Sequence, residues 1–152
     1  MSHNFFKLAP DIFSDLKPNQ RLAVAVSGGG DSVALLKLLY NMFGPQRLVA
    51  LHYNHNLRLE ADADQAWVEA FCTKHQIPCL VGMWENPAKH NKQQAARRAR
   101  YTFFAEMVKK LNLAGVCVGH TKDDVAETLL MRLGRGSGVQ GLAGMQHVGK
   151  LG

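Results

Sequence analysis

Two groups of residues in this 152-residue chain have types and spacings suited to chemistry. The first is S-G-G-G-D-S, Ser27 to Ser32, where Gly28, Gly29 and Gly30 stand between two apolar stretches. Glycine accepts positive φ and lets a ligand approach the main chain closely. Placed ahead of a segment with helical spacing, such a run exposes amide N–H groups at the positive end of a helix dipole, an arrangement that binds anions. A plain strand-to-helix turn, with Asp31 or Ser32 as the cap, needs only one of the three glycines. The second group is Asp123, Asp124 and Glu127 in H-T-K-D-D-V-A-E-T. On a helix, Glu127 falls one turn from both aspartates, where like charges repel by roughly 0.2–0.5 kcal/mol per pair. Three carboxylates so placed call for a cation, either magnesium shared with substrate phosphates or an ammonium group on a substrate. Asp124 also suits a capping box with Thr121.

The common nucleotide motifs do not account for the glycines. A Walker loop needs G-x-x-x-x-G-K-[ST], and no lysine follows here. A dinucleotide fingerprint needs G-x-G-x-x-G, but the residue three after Gly30 is Val33, and no acid closes the second strand. A third chemical feature lies in N-K-Q-Q-A-A-R-R-A-R-Y, Asn91 to Tyr101. At ~100° per residue, Ala95, Ala96, Ala99, Phe103, Phe104, Met107, Val108 and Leu111 form an apolar face; Arg98 lies opposite it, Arg97 at its margin and Arg100 inside it. A guanidinium facing inward needs an anionic partner, because burying it unpaired costs several kcal/mol. That partner is either an acid in a structural salt bridge or a phosphate or reaction intermediate.

These residues have to be held by alternating elements. Arg21–Val26 reads as a buried strand and Val33–Phe43 as a helix; Arg47–Tyr53 is the next strand. Ala61–His75 follows as a helix with Trp67, Ala70, Phe71 and Lys74 on one stripe, then Ile77–Trp84 as a strand. A helix from Asn91, where N-K-Q-Q has capping-box form, runs to about Asn112; a strand starts at Ala114 and a fourth helix after Thr121. The stretch before Lys17 is expected to be a short helix or ordered arm. The alternation predicts an α/β fold, a parallel twisted sheet with helices on both faces and ligands at the carboxyl ends of its strands. One such end is L-H-Y-N-H-N-L-R, Leu51 to Arg58, a candidate edge for recognising a base. His52 and His55 there have no nearby cysteine and no H-E-x-x-H context, so a metal pair is not the expected reading.

Composition narrows the class. The chain has 47% hydrophobic and 20% charged residues, as one globular domain does, and its net charge of +6 favours a polyanionic partner such as nucleic acid. Cys72, Cys79 and Cys117 are far apart with no C-x-x-C, which argues against zinc and iron–sulfur sites. Cys79 and Cys117 are expected as small core residues. No signal peptide or long apolar run is present, so a cytoplasmic location without a membrane is expected. The chain contains no internal repeat. Its last segment, G-R-G-S-G-V-Q-G-L-A-G-M-Q-H-V-G-K-L-G, is rich in glycine and ends without another strand, as if the domain, residues 1–152, were cut short at its C-terminal end.

The loop S-G-G-G-D-S resembles the pyrophosphate-binding loop of the N-type ATP pyrophosphatases, which implies a Rossmann-like, adenine nucleotide alpha hydrolase-like PP-loop fold. Taken with L-H-Y-N-H-N-L-R, N-K-Q-Q-A-A-R-R-A-R-Y-T-F-F and V-G-H-T-K-D-D-V-A-E-T-L-L-M-R-L-G-R-G-S-G-V-Q-G-L-A-G-M, it resembles the successive motifs of the tRNA(Ile)-lysidine synthases, in order, from about Arg21 to Met145. The resemblance implies ATP and Mg2+ as cofactors, and free L-lysine and tRNA(Ile) with a CAU anticodon as partners. It implies adenylation of C2–O of the wobble cytidine, then attack by the lysine amine. Ser27, Gly28, Gly29, Gly30, Asp31 and Ser32 would hold pyrophosphate, with Asp31 and Asp124 near magnesium. Ala25, Asn54 and His55 would flank the adenosine, and Arg100 would support developing charge. Asp124 and Glu127 would serve the lysine, whose amine, with a pKa of about 10.4, must lose a proton before it attacks. Val125 stands where the family usually has glutamine. The alternatives are a tRNA thiolase of the same group, which the cysteine spacing disfavours, and a nucleotide-binding module without catalysis.

Overall fold

A computed structural model describes residues 16–56, 59–85, 89–122, 125–131 and 147–148, with residues 119 onward described as backbone. The sheet is built on β1 (Leu22–Ala25), which is buried along its whole length. Its residues alternate between two cores: Leu22 and Val24 face one, Ala23 and Ala25 the other. A strand covered on both sides reads as a continuous apolar run, which is why L-A-V-A-V shows no polar alternation. Helix α1 (Gly30–Phe43) buries Val33, Leu35, Leu36 and Leu39 at helical spacing. It stops at Gly44, whose φ of +78° favours glycine and whose amide donates to the Tyr40 carbonyl at 2.8 Å. A 3-10 turn (Pro45–Arg47) leads into β2 (Leu48–Asn54), followed by α2 (Ala61–Lys74) and β3 (Cys79–Met83). Helix α3 (Lys92–Lys110) then returns the chain to β4 (Val116–Lys122).

The first four strands are parallel in the order β3-β2-β1-β4. Helices α1 and α2 pack on one face, and Tyr101, Phe104 and Val108 of α3 on the other. Sequential strands run outward from β1 to β3 and then reverse to β4, so the β1/β4 boundary is a switch point of the kind that opens a crevice at the strands' carboxyl ends. The predicted layered, parallel α/β fold is therefore what the chain forms. Among the described residues no helix is long and apolar enough to cross a membrane.

Three local expectations change. Helix α2 does not bury the Trp67 stripe: Val68 and Cys72 point inward, Phe71 sits half-buried at the rim, and Trp67 is 47% exposed. Val68 and Cys72 are small enough to let the helix axis approach the sheet, which an indole would hold off. Asn91 starts α3 with φ 52° and no side-chain cap bond. A capping side chain reaches its amide from an extended backbone, so this left-handed start removes the predicted box. The third change follows β4. Where a fourth helix is predicted, Val125–Met131 forms β5, antiparallel to β4 with Lys122 opposite Val125 and Val116 opposite Met131. His147–Val148, β6, pairs antiparallel with β5. Pairing satisfies the backbone groups that β4 would otherwise leave open at a sheet edge, and this outweighs the helical preference of A-E-T-L-L-M. Asp123 and Asp124 lie outside the described residues, as do the stretch before Leu16 and most of the glycine-rich tail.

One close packing contact makes a sharp prediction about this scaffold. A Cβ built on Gly82 in β3 would come within 2.8 Å of the Phe103 and Tyr53 rings. Gly82→Ala is expected to cost about 1–3 kcal/mol through overpacking. A urea midpoint should fall accordingly and recover when Phe103→Leu is added.

Candidate functional site

The glycine segment lies where β1 ends at the switch point. Gly28 has φ +96°, a conformation open to glycine and strained for other residues. Gly29 is extended and its carbonyl accepts from Val33 at 3.1 Å, which closes the first turn of α1. The loop is tied together by its two serines. The Ser32 hydroxyl donates its one proton to the Gly29 carbonyl at 3.0 Å, so it accepts from the Ser27 amide and from the Ser27 hydroxyl, both at 3.1 Å. The Gly29 amide in turn donates to Ser27 Oγ at 3.3 Å. Both hydroxyls are thus spent within the loop, and α1 has no side-chain cap.

The amides of Gly30, Asp31 and Ser32 open the helix, where no intrahelical carbonyl is available to them. A Cβ added to Gly30 would meet nothing within 4 Å, so this backbone faces open space. First-turn amides beside an open cradle fit the oxygens of a phosphate chain. Asp31 is exposed in the same turn. A carboxylate beside bound phosphates is favourable only with a cation between them, so Asp31 fits a magnesium-bearing nucleotide.

Neighbouring strands brace the loop. His52, 3% exposed on β2, approaches the Val26 carbonyl with Nδ1 at 2.6 Å. A carbonyl only accepts, so Nδ1 carries the proton and the imidazole anchors the residue before Ser27. Asn54, 1% exposed, donates to Asp62 Oδ1 at 3.0 Å and Gln65 Oε1 at 2.9 Å, and its oxygen accepts from the Asn56 amide at 2.8 Å. Its side chain ties the end of β2 to the first turns of α2. The same helix brings Asp64 beside Gly28, with Asp64 Cβ 3.5 Å from the position a Cβ there would take. Ala25 is buried against the α3 core immediately before the loop. The His55 ring meets Tyr53 edge-on at 5.1 Å. The phenol of Tyr53 is pushed above its ordinary pKa by burial, with Glu106 and Glu85 adding to the shift, so it stays protonated at neutral pH.

On α3, Arg97 and Arg98 are exposed and Arg100 is half-buried. The Arg100 Nε is buried with no hydrogen-bond partner among the described residues, and its guanidinium carbon lies 5.2 Å from the Tyr101 ring centroid. Backbone strand β5 places Glu127 opposite His120. Glu127 therefore stands on a strand and not on the predicted helix, while Asp123 and Asp124 lie outside the described residues.

The structure brings Ala25, Ser27 to Ser32, Asn54 and His55 to the ends of β1 and β2. It places Arg100 on α3, while Asp124 falls outside the described residues. The sequence reading missed His52 as the loop's anchor, Asn54 as a bracket to α2, and the burial of Tyr101. For His52 and Asn54 a signal existed, since polar residues inside an apolar strand must find partners. Among the described residues no three His, Cys, Asp or Glu side chains are grouped to hold an ion. The Cys72 thiol donates to the Cys79 sulfur, which raises Cys72 and lowers Cys79, while complete burial pushes Cys117 up to about 12.

Comparison with known proteins bears on the family and the fold. A family model described as a PP-loop domain matches residues 1–152. The chain is 43% identical over 132 residues to a tRNA(Ile)-lysidine synthase of Ruegeria pomeroyi, covering 85% of this chain and 32% of that protein. It is 41% identical over 143 residues to the synthase of Geobacter sulfurreducens, covering 88% and 30%. The chain thus spans about a third of the length of these relatives. Among solved structures, the U34-tRNA thiolase NcsA from Methanococcus maripaludis with its [4Fe-4S] cluster superposes with a TM-score of 0.65 at 17% identity, over 82% of this chain and 48% of that one. The NH3-dependent NAD synthetase of Campylobacter jejuni gives 0.58 at 15%, over 77% and 54%. At these identities the two structures speak to the fold alone.

Proposed function

This chain belongs to the PP-loop domain family, and from that premise we propose that it carries the ATP-handling chemistry of a tRNA(Ile)-lysidine synthase. The reaction is ligation of free lysine to C2 of the wobble cytidine in tRNA(Ile) bearing a CAU anticodon, through an adenylated base. One observation supports it above the others: a glycine loop with unspent first-turn amides at the β1/β4 switch point, in a chain 43% identical to a named synthase.

In this reading Gly28 to Ser32 receive the β and γ phosphates, so that attack by the cytidine oxygen on the α phosphorus expels pyrophosphate into a preformed cradle. Magnesium, held by Asp31 with Asp124, would neutralise the phosphate chain. Ala25 and His55 flank the adenosine. Asn54 acts by fixing the strand end, since both its donors are used on Asp62 and Gln65. Arg100 meets the negative charge that develops as the base oxygen is adenylated and later leaves with AMP. Asp124 and Glu127 attract the lysine ammonium, and one of them accepts its proton before the amine attacks C2. The net charge of +6 is suited to a tRNA partner, and the setting is cytoplasmic.

The test uses the full-length gene product with a tRNA(Ile) transcript. The expected result is ATP–pyrophosphate exchange stimulated by the CAU transcript, and labelled lysine in the tRNA when lysine is added. Orthophosphate release, or exchange with no lysine transfer, would overturn the assignment. Because the chain spans a third of its relatives, a second reading applies to these 152 residues by themselves: nucleotide binding without transfer. It is distinguished by ATP affinity in the absence of exchange.

A further inference from the structure

Tyr101 is 7% exposed on the sheet-facing side of α3, yet its hydroxyl has no hydrogen-bond partner among the described residues. A buried tyrosine ordinarily satisfies that group. What the side chain does contact is charge. The guanidinium carbon of Arg97 lies 5.6 Å from the ring centroid and that of Arg100 5.2 Å. Arg97 is exposed, so water competes for it; Arg100 is half-buried, with its Nε shielded and unpartnered among the described residues. For Arg100 the ring is the contact that the described structure provides.

The ring is itself firmly held. It meets Phe104 edge-on at 5.8 Å; Phe104 lies 6.1 Å from Phe103, and Phe103 lies 5.6 Å from Tyr53, the ring against His55. The run continues without a break from the guanidinium to the end of β2. Gly82 makes room for it, since Phe103 passes where a side chain would stand. A cation on a ring face keeps its N–H edges available, unlike one locked in a bidentate carboxylate pair. An arginine that must wait for a substrate oxygen is better seated on a ring than paired with an acid.

We propose that Tyr101 is the positioning residue for Arg100, its ring face holding the guanidinium in place with its donors free for an incoming oxygen. The inference rests on the role given to Arg100 under Proposed function. The ring is the working part, so Tyr101→Phe keeps the function and Tyr101→Leu loses it.

The experiment has two arms. In the 152-residue chain without substrate, the Arg100 Nε–H proton should show a ring-current shift by NMR that persists in Tyr101→Phe and vanishes in Tyr101→Leu. In the full-length protein, the kcat of tRNA-stimulated exchange should stay within about twofold for Tyr101→Phe. It should fall about tenfold for Tyr101→Leu with KM for ATP unchanged, a loss that disappears in an Arg100→Ala background. If the leucine variant does not fold, trifluorophenylalanine at 101 keeps the shape while removing the negative ring face, and should show the same loss. Retained kcat with either replacement, or an undiminished leucine effect in Arg100→Ala, overturns the positioning role. If Arg100→Ala alone keeps full exchange, the role of Arg100 itself fails and the inference with it.

Discussion

Gly30→Ala is expected to make the protein more stable and poorer at binding ATP. Gly30 is the first residue of α1, outside the positive-φ region, and an added Cβ would meet no atom within 4 Å. Replacing a helical glycine with alanine removes unfolded-state entropy and is worth up to about 1 kcal/mol. The methyl group would stand in the open space beside the first turn of α1. If that space is the phosphate cradle, ATP affinity should drop at least about tenfold, or ~1.4 kcal/mol. Calorimetric titration with ATP and magnesium, set beside urea unfolding of the same variant, separates the two effects. Unchanged affinity would remove the loop from the phosphate site. Gly28 provides the contrast, because its φ of +96° makes any side chain costly by roughly 1–3 kcal/mol. Gly28→Ala should therefore lose stability and affinity together, even though Asp64 stands at ordinary contact distance from the new methyl.

These two glycines also show how much was legible in the chain. Three adjacent glycines between a strand and a helix have few structural uses, so a turn with bare backbone at the head of α1 could be read from the sequence. The alternation of strands and helices likewise fixed the parallel layers, because 2- and 3.6-residue periods are local properties. What the sequence could not reveal depended on contacts between elements. Hydrophobicity would bury Trp67, but the distance between α2 and the sheet favours Val68 and Cys72. A wheel places Tyr101 beside the apolar stripe, and only the width of the surface that α3 covers takes the ring inside. The segment after Lys122 has helical propensity, and its pairing as β5 reflects an open strand edge that local sequence does not encode. The carboxylate constellation was inferred from helix geometry, and Glu127 on a strand removes that basis while leaving the three acids close in sequence.

Asn54 is the clearest case of a residue whose work is tertiary, and its removal should produce the largest stability change. Its amide donates to Asp62 and Gln65, eight and eleven residues on, and its oxygen accepts from Asn56, whose φ of 55° it helps to hold. Three bonds at one buried site, one of them to a carboxylate, are worth about 2–4 kcal/mol when the centre is replaced by leucine. For a domain of this size the melting temperature should fall by roughly 5–15 °C. ATP affinity should fall as well, since α2 would no longer be pinned with Asp64 beside Gly28. Asn54→Asp sharpens the test. It preserves the shape but sets a second carboxylate against Asp62, which raises the new group's pKa above its unfolded value of about 3.9. A group with a raised folded pKa favours the native state below the unfolded value and loses that contribution as pH rises through the folded one. The aspartate variant should therefore recover stability as pH falls from 7 toward about 4, where its protonated oxygen can donate to Asp62, while the leucine variant should show no such recovery relative to the parent protein. Equal melting temperatures for parent and leucine variants would mean that β2 and α2 are held together by apolar packing alone.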